Sequence, residues 1–416
     1  MMRHDKPLPI TKRMVWEAYK RVKNNGKAAG VDATSMADFT EDLENNLYRI
    51  WNRMASGSYF PPPVRRVEIP KAGGGVRPLG IPTVADRIAQ MVVKRYLEPE
   101  LEKQFHPDSY GYRPGKSAHQ AVERARVRCW HKDWVVDLDI KGFFDTIDHT
   151  LLMRAVRRHT QDKWVLLYIE RWLTAPVQLP DGSIQKRTAG TPQGGVISPL
   201  LANLFLHYAF DTWMQRTFPD ILFERYADDV LCHCRTHQEA AHLKRVLEQR
   251  FAACRLVLNP EKTKIVYCKD GNRRQSYPHI QFTFLGFCFR PRMAKNRWGK
   301  LFTCFLPAVS PEALKRMRAR IRSWRLAQHA PLALEDIAQS LNPVLRAWWQ
   351  YYGRFYPTEL WKLFRYFDER LGKWLRCKYK RMTGHRGRSL RKLDQIARQN
   401  PQWFVHWQYL GRSTVG

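Results

Sequence analysis

Two groups of aspartates carry the chemistry that this sequence offers. The first is Asp137-Leu138-Asp139-Ile140-Lys141-Gly142-Phe143-Phe144-Asp145, and the second is Tyr226-Ala227-Asp228-Asp229. Both lie among apolar residues, where an unpaired charge is expensive. A divalent cation relieves that expense. Oxygen ligands suit Mg²⁺, which is bound by one or two carboxylates together with substrate phosphates. Two such ions can activate an attacking hydroxyl and stabilise a leaving oxygen, so the chemistry in view is phosphoryl transfer. The competing reading is that the acids pair with Lys or Arg, and an isolated Asp-Asp pair does not decide between the two.

Acids used in this way need strands to hold them. Residues 134–140 read as a strand running into a helical segment. Residues 223–234 read as strand-turn-strand centred on Ala227-Asp228. A hairpin is predicted over 64–81, turning at Gly73-Gly74-Gly75, and further strands over 256–267 and 282–289. Val15, Ala18 and Val22 share one face of a helix that ends at Asn24-Asn25-Gly26, and helices follow over 38–55 and 88–96. After Pro307, Leu314, Met317, Ile321 and Trp324 recur at helical spacing. The expected fold class is therefore α+β, with a boundary near 305–310 and a helical region beyond it.

Composition narrows the partner. The 416 residues hold 71 Lys and Arg against 38 Asp and Glu, a formal net charge of +33. A compact chain with that excess repels itself unless a polyanion neutralises it, and nucleic acid is the first candidate. A ribosome-type basic protein or a membrane-surface protein would also be basic. Aromatics at 12%, with 15 Trp, add stacking surface that an electrostatic tail would not need. The eight cysteines form no CxxC pair, which argues against a zinc ribbon; Cys232-His233-Cys234 is too tightly spaced to chelate, and strand alternation separates His233 from its neighbours. They read as reduced core cysteines. The N-terminus has no signal-peptide pattern and no run is long enough to span a bilayer, so a soluble cytoplasmic protein without membrane partners is expected.

Between the aspartate groups lies Gly190-Thr191-Pro192-Gln193-Gly194-Gly195-Val196-Ile197-Ser198-Pro199-Leu200. With it the chain resembles a retroelement reverse transcriptase, specifically a group II intron maturase. The segment 24–32 resembles the family's N-terminal extension. Ile69-Pro70-Lys71 through Arg77-Pro78-Leu79-Gly80-Ile81-Pro82 resembles its first fingers block, and Ser109 through Ser117 its second. Leu258 through Lys264 and Phe284-Leu285-Gly286-Phe287 resemble later palm blocks. The resemblance implies a right-hand polymerase: N-terminal extension, fingers and palm over 1–305, a helical thumb or maturase domain over 306–385, and a small basic nucleic-acid-binding tail over 386–416.

It also implies roles. Asp139 and Asp228 would ligate two Mg²⁺ (or Mn²⁺) ions, with Ile140 and Asp229 also at the metal site. Asp137 and Asp145 would tune the field. Phe144, five residues after Asp139, matches the sugar gate that disfavours a ribose 2′-OH. Lys71 and Arg77 would clamp the triphosphate of the incoming dNTP, and Gln193 and Gly194 would meet the new base pair and template. Lys262 would protonate the departing pyrophosphate or simply hold its charge. Arg113, Tyr226 and Arg346 join the nucleic-acid contacts.

Residues 341–352 resemble the maturase block, and 361–392 hold twelve Lys or Arg against two acids, a run suited to a phosphate backbone. For each Trp of this region, packing is the simpler reading. Nothing over 385–416 supplies paired cysteines, so the chain resembles the short class without a His-Asn-His endonuclease, which would take its primer from elsewhere. The expected activity is RNA-directed DNA synthesis with an RNA template or intron RNA, a DNA primer or target, and dNTPs. A domesticated relative in repair or defence, and an RNA-binding splicing factor with a vestigial site, are the alternatives.

Overall fold

The computed structural model describes residues 7–24, 28–70 and 75–409. Lys71 and most of the turn expected at Gly73-Gly74-Gly75 lie outside these residues, as do Asn25 and Gly26. The chain forms two compact units. One comprises 1–121 and 134–265, the other 122–133 and 266–416. The division therefore falls after Ile265 rather than near 305–310, and it returns a short helical stretch from the first half of the chain to the second unit.

The strands, in chain order, are β1 (Val64–Pro70), β2 (Val76–Ile81), β3 (Trp134–Leu138), β4 (Val177–Gln178), β5 (Ile184–Gln185), β6 (Leu222–Tyr226), β7 (Asp229–Cys234), β8 (Lys264–Tyr267), β9 (Phe282–Phe284), β10 (Phe287–Lys295) and β11 (Leu301–Val309). In the first unit β1 and β2 make the expected hairpin and extend to a sheet of order β2-β1-β4-β5. A second sheet has the order β6-β7-β3-β8, with β8 the strand in which the chain passes from the first unit to the second.

The second sheet carries the aspartates. β6 and β7 pair antiparallel with Tyr226 opposite Asp229, leaving Ala227 and Asp228 alone to make the turn. β3 pairs antiparallel with β7, Leu138 opposite Val230, so the end of β3 arrives beside that turn. Ala227 has φ 56°, a left-handed conformation that disfavours a residue with a Cβ by roughly 1–2 kcal/mol. Other interactions must hold it there.

They come from a buried polar cluster. Arg225, on β6 just before the turn, is wholly buried and forms a two-pronged ion pair with Asp211 at 2.7 and 2.6 Å. Its remaining nitrogen donates to Asn203 Oδ1 at 2.9 Å and to the Ala227 carbonyl at 3.1 Å. Asn203 in turn donates to the Gly111 carbonyl at 2.7 Å. The segment around Gly111 runs along β6: Arg225 N–H donates to the Asp108 carbonyl, and Tyr110 N–H to the Arg225 carbonyl. Gly111 lies so close to the turn that a Cβ there would overlap the Ala227 nitrogen. That is why glycine stands at this point of the Ser109–Ser117 block.

Two predicted strands are interrupted. Residues 256–267 form a ladder strand only over β8, with an isolated antiparallel bridge at Leu258, because Asn259-Pro260 turns the chain and Pro260 has no N–H to give a ladder. Residues 282–289 split into β9 and β10 around Leu285-Gly286, both at positive φ (51° and 81°), the signature of a two-residue hairpin turn.

In the second unit β9, β10 and β11 form a meander, followed by helices Pro311–Ser323, Leu334–Tyr352, Pro357–Lys378, Arg386–Gln399 and Val405–Tyr409. They close over one apolar core in which Leu360, Leu363, Phe364, Phe367 and Leu371 are fully buried. Leu393, Ala397, Phe404 and Trp407 enter the same core. Asp368 binds His406 Nε2 at 2.9 Å and accepts from Trp407 Nε1 at 3.0 Å. Residues 386–409 are thus part of the helical body rather than the separate tail expected over 386–416, because the apolar face hidden in a basic sequence needs a core. Trp324 stacks on Trp348, and Trp349 on Tyr409, so these Trp residues pack as expected.

Removing one partner of a buried ion pair strands the other. Asp211→Ala is expected to lower unfolding stability by about 3–5 kcal/mol. Urea denaturation checks this, and a loss below about 1 kcal/mol would mean that Arg225 finds another acceptor.

Candidate active site

The end of β3 is fixed by a loop that runs antiparallel to it. Ile140 bridges to Leu258, Asn259 N–H donates to the Asp139 carbonyl at 2.7 Å, and Lys141 N–H donates to the Val257 carbonyl at 2.8 Å. Asp139 N–H donates to Thr263 Oγ1 at 3.3 Å. The loop that replaced the predicted strand thereby sets Lys262 Nζ 3.4 Å from Asp139 Oδ2.

A second loop completes the floor. Thr191 N–H donates to the Phe144 carbonyl and Gly190 N–H to the Ile147 carbonyl, both at 2.7 Å. Gly190 has φ 79°, and a Cβ there would stand 2.7 Å from the Asp145 carbonyl carbon. Gln193 donates from Nε2 to Asp145 Oδ2 at 3.3 Å, and its carbonyl accepts from Gly80 N–H at 2.7 Å. These bonds attach the loop at once to the short helix Phe143–Thr146, which follows Asp139, and to β2. Behind it, Gln90 Oε1 accepts from the N–H groups of Val196 and Ile197, and Gln90 Nε2 donates to Asp86. Asp86 also accepts from Tyr59 and Trp172 and is buried.

The result is a cleft of about 560 Å³ in the first unit. Its lining includes Arg77, Tyr112, Asp139, Ile140, Phe144, Asp145, Gln193, Gly194, Asp228 and Lys262. Most of the residues expected at the site from sequence meet there. Asp229 stands next to the cleft at the start of β7 and keeps contact with solvent. Tyr226, on the other side of the turn, packs 6.3 Å from the Tyr112 ring. Arg113 is placed differently from expectation. Its guanidinium is nearly buried, paired with Glu102 at 3.0 Å and bonded to the carbonyls of His106 and Ser109. It braces the segment that braces the turn. Arg346 is exposed on its helix in the second unit.

The carboxylates disturb one another. Withdrawal from water, then the charges of Asp229 and Asp139, push Asp137 up to about 8, against the pull of Lys264. Asp229, although it keeps some contact with solvent, rises to about 7 through partial loss of hydration and then Asp228 and Asp139, with Lys262 and Arg77 opposing. Asp228 is raised chiefly by burial and also by Asp139; its own N–H, Arg77 and Arg225 oppose. Acids that hold protons near neutrality are acids whose protein surroundings do not supply enough positive charge. Among the described residues no three His, Cys, Asp or Glu side chains form a metal cage. Mg²⁺ needs none, since one or two carboxylates plus substrate phosphates complete its shell, and this donor set fits it.

Arg225, Asp211, Asn203, Gln90 and Asp86 were not singled out in the sequence. The available signal was a charge inside an apolar strand, Arg225 within Leu222–Tyr226; a buried Arg must find a carboxylate, but sequence does not say which. The Cys232-His233-Cys234 cluster behaves as alternation demands, with His233 bonded to Glu224 at 2.5 Å and both cysteines free and buried.

The reverse transcriptase (RNA-dependent DNA polymerase) family model matches residues 69–289, and that of the group II intron, maturase-specific domain matches 314–393. Protein YkfC of Escherichia coli (strain K12) is 32% identical over 313 residues, covering 65% of this chain and 78% of that protein. The group II intron-encoded protein LtrA of Lactococcus lactis subsp. cremoris is 37% identical over 193 residues, 46% of this chain and 32% of LtrA. The putative COX1/OXI3 intron 1 protein of Saccharomyces cerevisiae is 30% identical over 204 residues, 49% of this chain and 24% of that protein. The match thus spans about a third or less of the two intron proteins.

The loop support yields a pH test. Burial, opposed by hydrogen bonds from Trp172, Gln90 and Tyr59, raises Asp86 to about 6. An unfolded Asp ionises near about 3.9, so between about 4 and about 6 the unfolded chain has released a proton that the folded chain retains. Asp86 therefore subtracts stability as pH rises through that window, and the loss levels off above it. Urea denaturation from pH 4 to 7 should show a flatter profile for Asp86→Asn than for wild type. Parallel profiles would remove Asp86 from the account.

Proposed function

The chain belongs to the reverse transcriptase family, and on that footing we propose that it is an RNA-directed DNA polymerase of the group II intron kind. It copies RNA into DNA, and it binds the intron RNA that encodes it, aiding splicing and mobility. The observation that carries the polymerase reading is the meeting of Asp139 and Asp228, from the ends of two paired elements, in one cleft with Arg77, Phe144, Gln193 and Lys262. The intron reading is supported by the maturase-specific match over 314–393 and by the likeness to LtrA.

In the reaction, the primer 3′-hydroxyl attacks the α-phosphate of a dNTP and pyrophosphate departs. Asp139 and Asp228, with Asp229 beside them, would hold Mg²⁺, which supplies activation of the hydroxyl and charge neutralisation on the phosphates. Arg77, at the cleft edge on β2, faces the negative charge of the triphosphate. Lys262, already 3.4 Å from Asp139, is within reach of a group bound at that carboxylate and can carry a proton or a charge to the leaving pyrophosphate. Phe144 fills the wall where a ribose would place its 2′-hydroxyl. Gln193 is held by Asp145 and Gly80 and would meet the new base pair from there. Among the described residues no helix is long and apolar enough to cross a membrane.

Primer extension on an RNA template with Mg²⁺ tests the reading. Wild type should incorporate deoxynucleotides, and Asp228→Ala should be slower by at least about a thousand-fold, a few kcal/mol of transition-state stabilisation. Absence of incorporation by wild type overturns the polymerase assignment, and near-normal activity in Asp228→Ala overturns the site. Phe144→Ala should raise the use of ribonucleotides relative to deoxynucleotides on the order of ten-fold or more. An unchanged ratio would leave Phe144 as a wall residue only. Mg²⁺ should also raise the melting temperature of wild type, and Asp139→Asn should blunt that rise.

A further inference from the structure

The hairpin of β10 and β11 holds none of the residues assigned above, yet its tip is built to expose an aromatic ring. The strands pair in register from Phe287 opposite Val309 to Lys295 opposite Leu301, leaving residues 296–300 as the loop. That loop is internally bonded. Asn296 N–H donates to the Lys300 carbonyl and Gly299 N–H to the Asn296 carbonyl, both at 3.0 Å. Asn296 Oδ1 accepts from Trp298 N–H at 3.0 Å and from Lys300 N–H at 2.9 Å. Gly299, at φ 85°, makes the turn that a residue with a Cβ would resist.

Trp298 is 75% exposed at the centre of this loop, although its neighbours hold the backbone in a single bonded form. The Arg297 guanidinium lies 4.0 Å from its ring centroid and leaves the ring open to a second partner. Met293 and Leu301 add exposed apolar surface on the same hairpin.

Charge identifies the partner. Residues 287–309 contain five Lys or Arg and no acid. Arg290 and Arg292 share the Glu359 carboxylate, at 3.6 and 3.2 Å. Lys295, Arg297 and Lys300 have no carboxylate partner among the described residues. An open indole among three unneutralised cations is the arrangement that takes an unpaired base between phosphates: the π-face accepts the base, the cations the backbone. Along a paired duplex the bases stack on one another, and such a face remains only at the terminal pairs, which a stem-loop and its stem duplex both have.

We infer that the 296–300 loop is an RNA-binding element that stacks Trp298 on an unpaired base while Lys295, Arg297 and Lys300 meet the adjacent phosphates. This rests on the RNA-binding part of the proposed function and names a place for it.

The test uses the full chain, a labelled RNA stem-loop and the same stem as a blunt duplex, in fluorescence anisotropy without dNTPs. Trp298→Ala should weaken stem-loop binding roughly ten-fold and duplex binding by less than about two-fold, with Trp298→Phe retaining most of the affinity. The triple change Lys295→Gln, Arg297→Gln, Lys300→Gln should make the salt dependence of stem-loop binding shallower by roughly 2 in log–log slope. A stem-loop loss below about two-fold, an equal loss on the duplex, or an unchanged slope overturns the inference. Thermal melting separates these outcomes from misfolding. Because no nucleotide is incorporated, failure of the polymerase reading leaves this result standing, and the reverse holds.

Discussion

The first unit is organised around a repulsion. Asp137, Asp139, Asp228 and Asp229 are brought together where β3 ends beside the β6–β7 turn, and each raises or is raised by another. Left to themselves these side chains would move apart, or Asp137 and Asp229 would keep their protons. The surrounding elements prevent the first response: the β3–β7 ladder fixes the register, and the 257–263 loop pins the backbone on both sides of Asp139. The protonation that remains is what a divalent cation would reverse. Such a site trades local stability for the ability to bind metal and phosphate when both are present.

Holding the turn requires a second, deeper interaction of opposite sign. A left-handed alanine and a forced approach of carboxylates are both unfavourable, and the Arg225–Asp211–Asn203 cluster lies directly beneath them. An ion pair in that position contributes little net stability after desolvation, but it makes one geometry far better than its neighbours. Its guanidinium reaches the Ala227 carbonyl itself, so the constraint acts on the turn and not merely on the sheet. Gly111 and Arg113 extend the same support outward, one by having no side chain and the other by spending its whole side chain on Glu102 and nearby carbonyls.

The legible part of this arrangement was the part with local patterning. Short apolar runs marked β3 and β7, and the family resemblance carried by the Asp139–Phe144 and Gly190–Gly195 blocks implied residues that line the cleft. Residues 256–267 and 282–289 were harder because apolar runs lie on both sides of a turn: Asn259-Pro260 and the polar residues after it part Leu256–Leu258 from β8, and the Leu285-Gly286 pair breaks 282–289 without breaking its hydrophobicity. The helical region after 310 was readable as helix from its period. That 386–409 folds into the same core was not, because the charge of the segment outweighs the few apolar residues, Leu393, Phe404 and Trp407, that decide it. Partners in buried networks stayed hidden for a general reason: Gln90 meets Val196 across 106 residues of chain and Asp86 meets Trp172 across 86.

Arg113 shows what this means for reading a site from its motifs. The residue sits in a block that stands out in the sequence, and a cation in a nucleic-acid enzyme invites assignment to a phosphate. Its burial and its bonds to Glu102, His106 and Ser109 assign it instead to the scaffold that keeps Gly111 against the Ala227-Asp228 turn. A distinctive sequence block can therefore arise from the need to place a catalytic group as much as from contact with substrate. Burial distinguishes the two cases here: Arg77, at the open edge of the cleft with the carboxylates in its field, can meet a ligand, whereas Arg113 cannot do so without abandoning the carbonyls that it satisfies.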